Sequence, residues 1–474
     1  MTTECSLTQL EFHALGSREV IGRFDGGRIT SDGGGLLLRE VDRRMGLLHR
    51  LAGCFDDYRN PNSVEHSVHA LVAQRVYGLA LGYEDLNDHD ALRSDSALAL
   101  LVGKRDLTGE RRERARDQGT PLAGSSTLNR LELSTPELAA ADRYKKIAAD
   151  PAALDRLLVD AFLESYRKPP REIWLDLDAT DDPLHGHQEG RFFHGYYRCY
   201  CYLPLYIFCG EHLLCARLRP SDRDGAAGSV EELERIVAQI RARWPKTRIV
   251  IRGDSGFCRD AIMRWCEEHG IRYVLGLARN QRLHRALGRE MAEAHAEHEI
   301  TGKSARRFRD FRYRTRKSWS CERRVVGKAE VLPGKVNPRF VVTNLPVSRA
   351  GARRLYEKLY CIRGEMENRI KEQQLGLFAD RTSSETMRAN QLRLYFSSFA
   401  YVLMHGLRRL GLDGTRHARA QCTTIRLKLL KIGARIRITV RKVWLSFSEA
   451  YPYARDFAQI LTNIRCYPAW APPG

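Results

Sequence analysis

The rhythm of hydrophobic and polar positions changes twice along these 474 residues, and each change marks a boundary. After an irregular or short-stranded lead-in over 1–30, apolar residues recur at helical spacing and predict helices at about 63–82, 88–103, 125–133 and 136–166. Ser31-Asp32-Gly33-Gly34-Gly35 before Leu36-Leu37-Leu38 predicts a turn and a helix start. A phosphate-cradling loop is the sharper alternative, but no strand clearly precedes it and no Lys-Ser or Lys-Thr follows. From residue 170 the rhythm becomes that of strands: 172–178, the aromatic run 196–209, and Leu213–Leu218. A helix at 229–243 places Val230, Leu233, Ile236, Val237 and Ile240 on one face. Strand 248–253, helix 258–269, strand 272–278 and helix 280–297 follow, the element order of an α/β sheet.

Residues 306–344 interrupt this order. Within 306–324, nine of nineteen residues are Arg or Lys, with Phe308, Phe311, Tyr313 and Trp319 among them. Phe311, Tyr313 and Thr315 alternate with Arg312, Arg314 and Arg316, so a strand here has one aromatic and one guanidinium face. Helices resume at about 347–376 and 387–410, and an alternating stretch at 434–440, a helix at 453–464 and a Pro-rich tail complete the chain. The expected organisation is a mainly helical N-terminal region (1–165) and an α/β core (166–305 and 345–412) split by a β-rich insertion (306–344). A C-terminal region (413–474) ends it.

Charge narrows the function. The 78 Lys and Arg against 58 Asp and Glu give a net charge of +20 and a pI near 9.6, which calls for a polyanionic partner. This makes the N-terminal region the expected DNA-binding region. Ser125–Glu132 offers polar residues that can meet DNA, although helix capping explains its hydroxyls equally well. No apolar run has the length of a membrane span, and Met1–Cys5 does not begin a signal peptide, so the expected compartment is the cytoplasm. Twelve cysteines without a C-x-x-C pair suit reduced, mostly buried thiols.

Three acids stand in distinctive settings. Asp178 ends the strand 172–178, Asp254 ends the strand 248–253, and Glu367 lies in a later polar helix. Carboxylates from two strand ends and a helix can converge into the hard oxygen cage that Mg²⁺ or Mn²⁺ demands. Alternation places Trp174, Asp176 and Asp178 on one face, so either aspartate can be the ligand, and Asp178 is preferred for its terminal position. Asp182 is a further candidate, and a turn or helix-cap role is the competing reading for Asp182 and Asp254. Tyr360, Arg363 and Glu367 share a stripe that Lys371 and Gln374 extend; a surface ion pair also explains Glu367 and Lys371. Element order and acids together point to a ribonuclease-H-like mixed sheet. His185-Gly186-His187 and His194 lack a completing zinc ligand, and Gly302-Lys303-Ser304 lacks the first P-loop glycine because position 297 is Glu.

The tyrosine–arginine–glutamate spacing at 360, 363 and 367 resembles the signature of DDE-class insertion-sequence transposases. With Leu175–Gly186 and Arg252–Phe257 it is similar to the branch named after insertion sequence thirteen-eighty, over roughly 20–466. The resemblance implies Asp178, Asp254 and Glu367 as catalytic, metal-binding acids for two Mg²⁺ ions (Mn²⁺ as substitute). It implies DNA contacts from Tyr360 and Arg363, with Lys371 on the same stripe as a further DNA contact, and cut-and-paste transposition, with cleavage at element ends and transfer of the 3′-hydroxyl into target DNA. Its partners would be double-stranded terminal inverted repeats and target DNA, engaged by a homodimer or larger assembly at the nucleoid. Relatives carry a β-rich insertion where 306–344 lies, so Arg312, Arg314 and Arg316 are expected to hold phosphates and Trp319 to stack on a base; packing of Trp319 in a small β core is the alternative. The signature ends in lysine where this chain has Gln374, one turn beyond Lys371. A stand-alone metal-dependent nuclease and a transposase-derived DNA-binding protein without catalysis are the competing functions.

Overall fold

A computed structural model of the chain describes residues 9–467. Two compact units are present, one drawn from Met1–Ala148 with Gly406–Ala469 and the other from Ala149–His405.

The second unit is organised by a nine-stranded mixed sheet. Its strands are β1 Glu172–Ala179, β2 Leu205–Cys209, β3 His212–Arg217, β4 Arg248–Gly253 and β5 Arg272–Leu277. They continue as β6 Ala305–Tyr313, β7 Arg323–Leu332, β8 Lys335–Val336 and β9 Arg339–Thr343. The spatial order is β3-β2-β1-β4-β5-β9-β7-β6, with β8 paired to β7. β1, β4 and β5 are mutually parallel, whereas β2 and β3 on one side and β9, β7 and β6 on the other are antiparallel.

The alternation read from sequence decides which face each side chain takes. Ile173, Leu175 and Leu177 of β1 and Ile249 and Ile251 of β4 bury in one core with Leu233, Ile236, Val237 and Ile240 of the helix Ser229–Arg243. Each such side chain contributes about 1.5–3 kcal/mol by leaving water. The opposite face holds a second core of Val250, Val274, Val326, Val341, Leu355 and Tyr356. Trp174, Asp176 and Asp178 stand on that side of β1.

Three expectations are corrected here. Residues 306–344 form no separate insertion, because β9 pairs antiparallel with β5 (Val274↔Thr343, Leu275↔Val342) and extends the main sheet. Val325, Val326, Val341 and Val342 bury on alternate faces, which makes these strands part of the interior. The helix expected over 136–166 is broken into Pro136–Ala141, a short strand Ile147–Ala149 and Pro151–Glu164. Asp150 caps the last piece by accepting bonds from the amides of Ala152 and Ala153, and Pro151 occupies the first turn. Val159, Phe162 and Leu163 of that piece bury against the main sheet. Finally, the run 196–209 is two strands. Cys199–Tyr202 joins Asp182–Pro183 and Phe192–His194 in a small three-stranded sheet, and Leu205–Cys209 is β2.

The first unit brings distant stretches together. Arg28–Thr30 pairs with Ala434–Ile438, which pairs with Val443–Phe447. Gly34 packs so closely on Leu429 and Leu430 that a Cβ would lie 2.0 Å from the Leu429 carbonyl oxygen. The Gly33–Gly35 run is therefore a packing device and not a phosphate cradle. Arg426 donates to the carbonyls of Ala80 and Leu79, and Lys431 pairs with buried Asp32 at 2.7 Å. The expected C-terminal region, in its described part, thus packs with the N-terminal stretch. No described helix is long and apolar enough to cross a membrane, and the described cysteines are all free.

Candidate active site

Adjacent parallel strands deliver the two aspartates to one end of the sheet. β1 and β4 pair as Arg252↔Asp176 and Gly253↔Leu177, so Asp254 emerges beside Asp178. Asp176 is committed to a buried ion pair. Arg252 grips it with two bonds of 2.5 and 2.7 Å inside the protein and also donates to the Leu359 carbonyl. Asp178 is held instead by Arg363, and its neighbour on the other side is Tyr206 of β2. Asp254 also accepts a bond from the Gly256 amide at 2.8 Å, capping the short turn Ser255–Phe257. The turn-cap reading of Asp254 is thus observed, and the cap leaves the residue at the end of β4 beside Asp178.

The third acid arrives on an irregular helix. The expected continuous helix is a π-helical stretch Leu355–Tyr360, a 3₁₀ turn Cys361–Arg363 and then an α-helix Gly364–Leu377. Such π turns are frequent at functional sites because they re-aim side chains that regular winding would direct elsewhere. Arg363 donates to Asp178 Oδ2 and to Glu367 Oε1, each at 3.0 Å. The Tyr360 hydroxyl sits above Gly276 of β5, where a Cβ would lie 2.5 Å from it and 2.9 Å from the Ser255 amide nitrogen. Gly276 is a close-approach position beneath Tyr360 that sequence reading passed over. The signal was a glycine inside an apolar strand, which marks close approach by another group.

Electrostatics unite the set. Burial pushes the Asp178 carboxyl up to about 6; the Arg363 guanidinium opposes this, while the charges of Asp254 and Glu367 add to it. Burial likewise raises the Tyr360 phenol, with Arg363 opposing and Asp254 adding. Asp178, Asp254 and Glu367 are thus electrostatic neighbours around one guanidinium. Among the described residues no three His, Cys, Asp or Glu side chains form a ready-made metal cluster. The donor set, all carboxylate oxygens, fits a hard cation in kind. Arg363 stands between Asp178 and Glu367 and supplies the positive charge there.

The other predicted residues lie apart. Lys371 is exposed one turn beyond Glu367, and Gln374 donates to the Asp181 carbonyl at 3.0 Å. Asp182 is buried in the small sheet, which pushes its carboxyl well up. Arg312 is exposed and faces Glu322 at 3.7 Å, Arg314 donates to the Trp319 carbonyl, and Arg316 is exposed. Trp319 is only 4% exposed and packs edge-on to Tyr313 at 5.7 Å within the main core. Of its two readings, this burial matches packing within the sheet core.

In the first unit, Arg59, Arg93, Arg112, Arg114, Arg116 and Arg130 line a cavity of about 370 Å³, joined by Ser126 and Thr127 of the helix Ser125–Leu133. Burial, then the charges of Lys104, Arg112, Arg59 and Arg93, lower nearby His66 to about 3 and keep it neutral. Ser125 does not cap its own helix but donates to Asp90.

A protein-family model described as "Transposase DDE domain group 1" matches residues 12–469. No curated protein sequence matches the chain. Among solved structures, the cryo-EM structure of the piggyBac transposase synaptic complex with hairpin DNA is similar at a TM-score of 0.43 and 10% identity. The alignment covers 93% of this chain and 86% of that one.

Proposed function

Because the chain belongs to the DDE transposase family of domain group 1, a family of metal-dependent enzymes that process nucleic acid, we propose a specific activity for it. The protein cuts DNA at the ends of its element and joins the freed 3′-hydroxyl to target DNA. It belongs to the insertion-sequence thirteen-eighty branch with the tyrosine–arginine–glutamate signature. The observation that carries this reading is the meeting of Asp178, Asp254 and Glu367 around Arg363, at the ends of neighbouring strands and one irregular helix. The strand order β3-β2-β1-β4-β5, three antiparallel strands followed by two parallel ones, supports a ribonuclease-H-like core.

Asp178, Asp254 and Glu367 would hold the divalent ions, Mg²⁺ or Mn²⁺, a pair of which would supply activation of water and stabilisation of the leaving oxygen. The chain's own groups do the rest. Arg363, freed from its two carboxylates, is placed to neutralise a phosphate oxygen. The Tyr360 phenol, kept protonated, can donate to the same phosphate. Phosphates of the terminal repeats dock on the cavity of the first unit, whose six arginines outnumber its lining acids Glu65, Asp90 and Asp117. Joining two element ends calls for at least a dimer on DNA, acting in the cytoplasm at the nucleoid.

The test is cleavage and strand transfer on DNA from the gene's own flanks with Mg²⁺. Asp178→Ala, Asp254→Ala and Glu367→Ala should each abolish both steps while retaining DNA binding. Full cutting by Asp178→Ala would remove the basis of the reading. Hydrolysis with no joining of a precut 3′ end would reduce the protein to a nuclease.

A further inference from the structure

The segment between β1 and β2 leaves the sheet beside Asp178 and returns beside it, since Ala179 pairs with Leu205 and Asp178 with Tyr206. Its base is held firmly. Gln374 donates to the Asp181 carbonyl, Gln188 to the Thr382 carbonyl, and the Glu189 amide to the Glu385 carbonyl. Tyr202 donates from its hydroxyl to the Glu189 carbonyl.

The tip behaves oppositely. Phe193 is 57% exposed, Tyr196 84% and Tyr200 44%. A protein hides such rings unless they serve contact, because each holds a large apolar surface in water. The rings are also ordered among themselves. Phe193 and Tyr200 meet edge to face at 5.5 Å, Tyr196 and Tyr197 at 5.0 Å, and the Arg191 guanidinium lies 3.8 Å over the Tyr200 ring. Arg198 turns the chain in the left-handed region (φ 58°), its amide donating to the His194 carbonyl. Between residues 190 and 202 there are two arginines and no acid. At its inner edge, burial and then the charges of Asp181 and Asp178 raise the Tyr197 phenol to about 12, so this edge is within electrostatic reach of Asp178.

Resting on the transposase reading, we propose that this aromatic tip is a stacking platform for unpaired DNA bases next to the phosphate cut at Asp178. Exposed rings accept bases of any identity, and Arg191 and Arg198 match the charge of the backbone that carries them. A surface made only to meet protein would have no need of cations without acids. The tip thereby takes the role that buried Trp319 cannot.

The test compares metal-free full-length protein binding to a blunt duplex and to the same duplex with a single-stranded 3′ tail, with 2-aminopurine at the first unpaired position. Wild type should prefer the tailed duplex and quench the probe. Tyr196→Ala and Phe193→Ala should each lose about tenfold on the tailed duplex and little on the blunt one, and Tyr196→Phe should retain the preference. Tyr196 is so exposed that its truncation leaves the fold intact, and circular dichroism checks this. Equal losses on both DNAs, or no loss on either, would overturn the proposal. So would a wild type that sediments as a dimer and a Tyr196→Ala that sediments as a monomer with tail preference intact, since a second copy would then occupy the tip. Cutting by Asp178→Ala is scored separately, so a protein that cuts without Asp178 yet keeps its tail preference would sink the catalytic assignment alone.

Discussion

Asp178 should weaken the metal-free protein at neutral pH, and Asp178→Asn should relieve it. Its carboxyl has an ordinary value of 3.8 and rises to about 6 in the folded chain, burial outweighing the help of Arg363. Between those values the folded form keeps a proton that the unfolded form has released. Stability is therefore lost as pH rises through that window and stays lost above it. At about 1.4 kcal/mol per pH unit the loss is about 3 kcal/mol. The carboxylate is well enclosed, its side chain 13% exposed, so solvent screening discounts this little. Asp178→Asn, nearly the same shape without the charge, should melt higher than wild type by roughly 5–10 °C at pH 8. The gap should close toward pH 4. Adding Mn²⁺ at pH 8 should raise the wild type and leave Asp178→Asn unmoved, because the ion compensates the same charge. Thermal unfolding of both proteins across pH, with and without Mn²⁺, decides it. Equal melting at pH 8, or a gap that ignores pH, would refute the account.

Other perturbations separate framework from chemistry. Asp176→Asn leaves Arg252 buried without its partner and should cost about 3–5 kcal/mol by chemical denaturation, with Mn²⁺ still stabilising whatever folds. Trp319→Ala should cost about 3–5 kcal/mol from lost packing and change the affinity for tailed and blunt DNA equally; a selective loss on tailed DNA would return the ring to a base-contact role. Gly276→Ala pushes a methyl group to within 2.5 Å of the Tyr360 hydroxyl and 3.1 Å of the Asp254 carbonyl carbon. It should cost about 1–3 kcal/mol and slow cleavage severely while DNA affinity holds, as measured on the same substrate.

What the sequence made legible was what repeats at short range. Alternation exposed β1 and a short apolar run exposed β4, which puts Asp178 and Asp254 at strand ends. Pairing across the sheet was not legible. Asp176 and Asp178 are equivalent by alternation, and only Arg252 on the neighbouring strand distinguishes them. The arginines of β6 looked like a free cationic face, yet Glu330 meets Arg306, Glu297 meets Arg307 and Glu290 meets Arg309. Those acids lie in other elements, so residue composition alone overstated the positive face. Trp319 stayed open between two readings for a similar reason, since a basic neighbourhood does not say whether a ring between two strands is buried. The break at Asp150-Pro151 was visible, because proline disfavours a helical residue before it, and a long apolar period obscured it.

The pairing of Arg28–Thr30 with Ala434–Ile438 has a consequence for biosynthesis. A ribosome releases the first of these strands some four hundred residues before the second, so the early stretch must wait unfinished while the intervening module can already assemble. A message broken late in its reading frame would then yield a chain with Asp178, Asp254 and Glu367 all present and this small sheet unclosed.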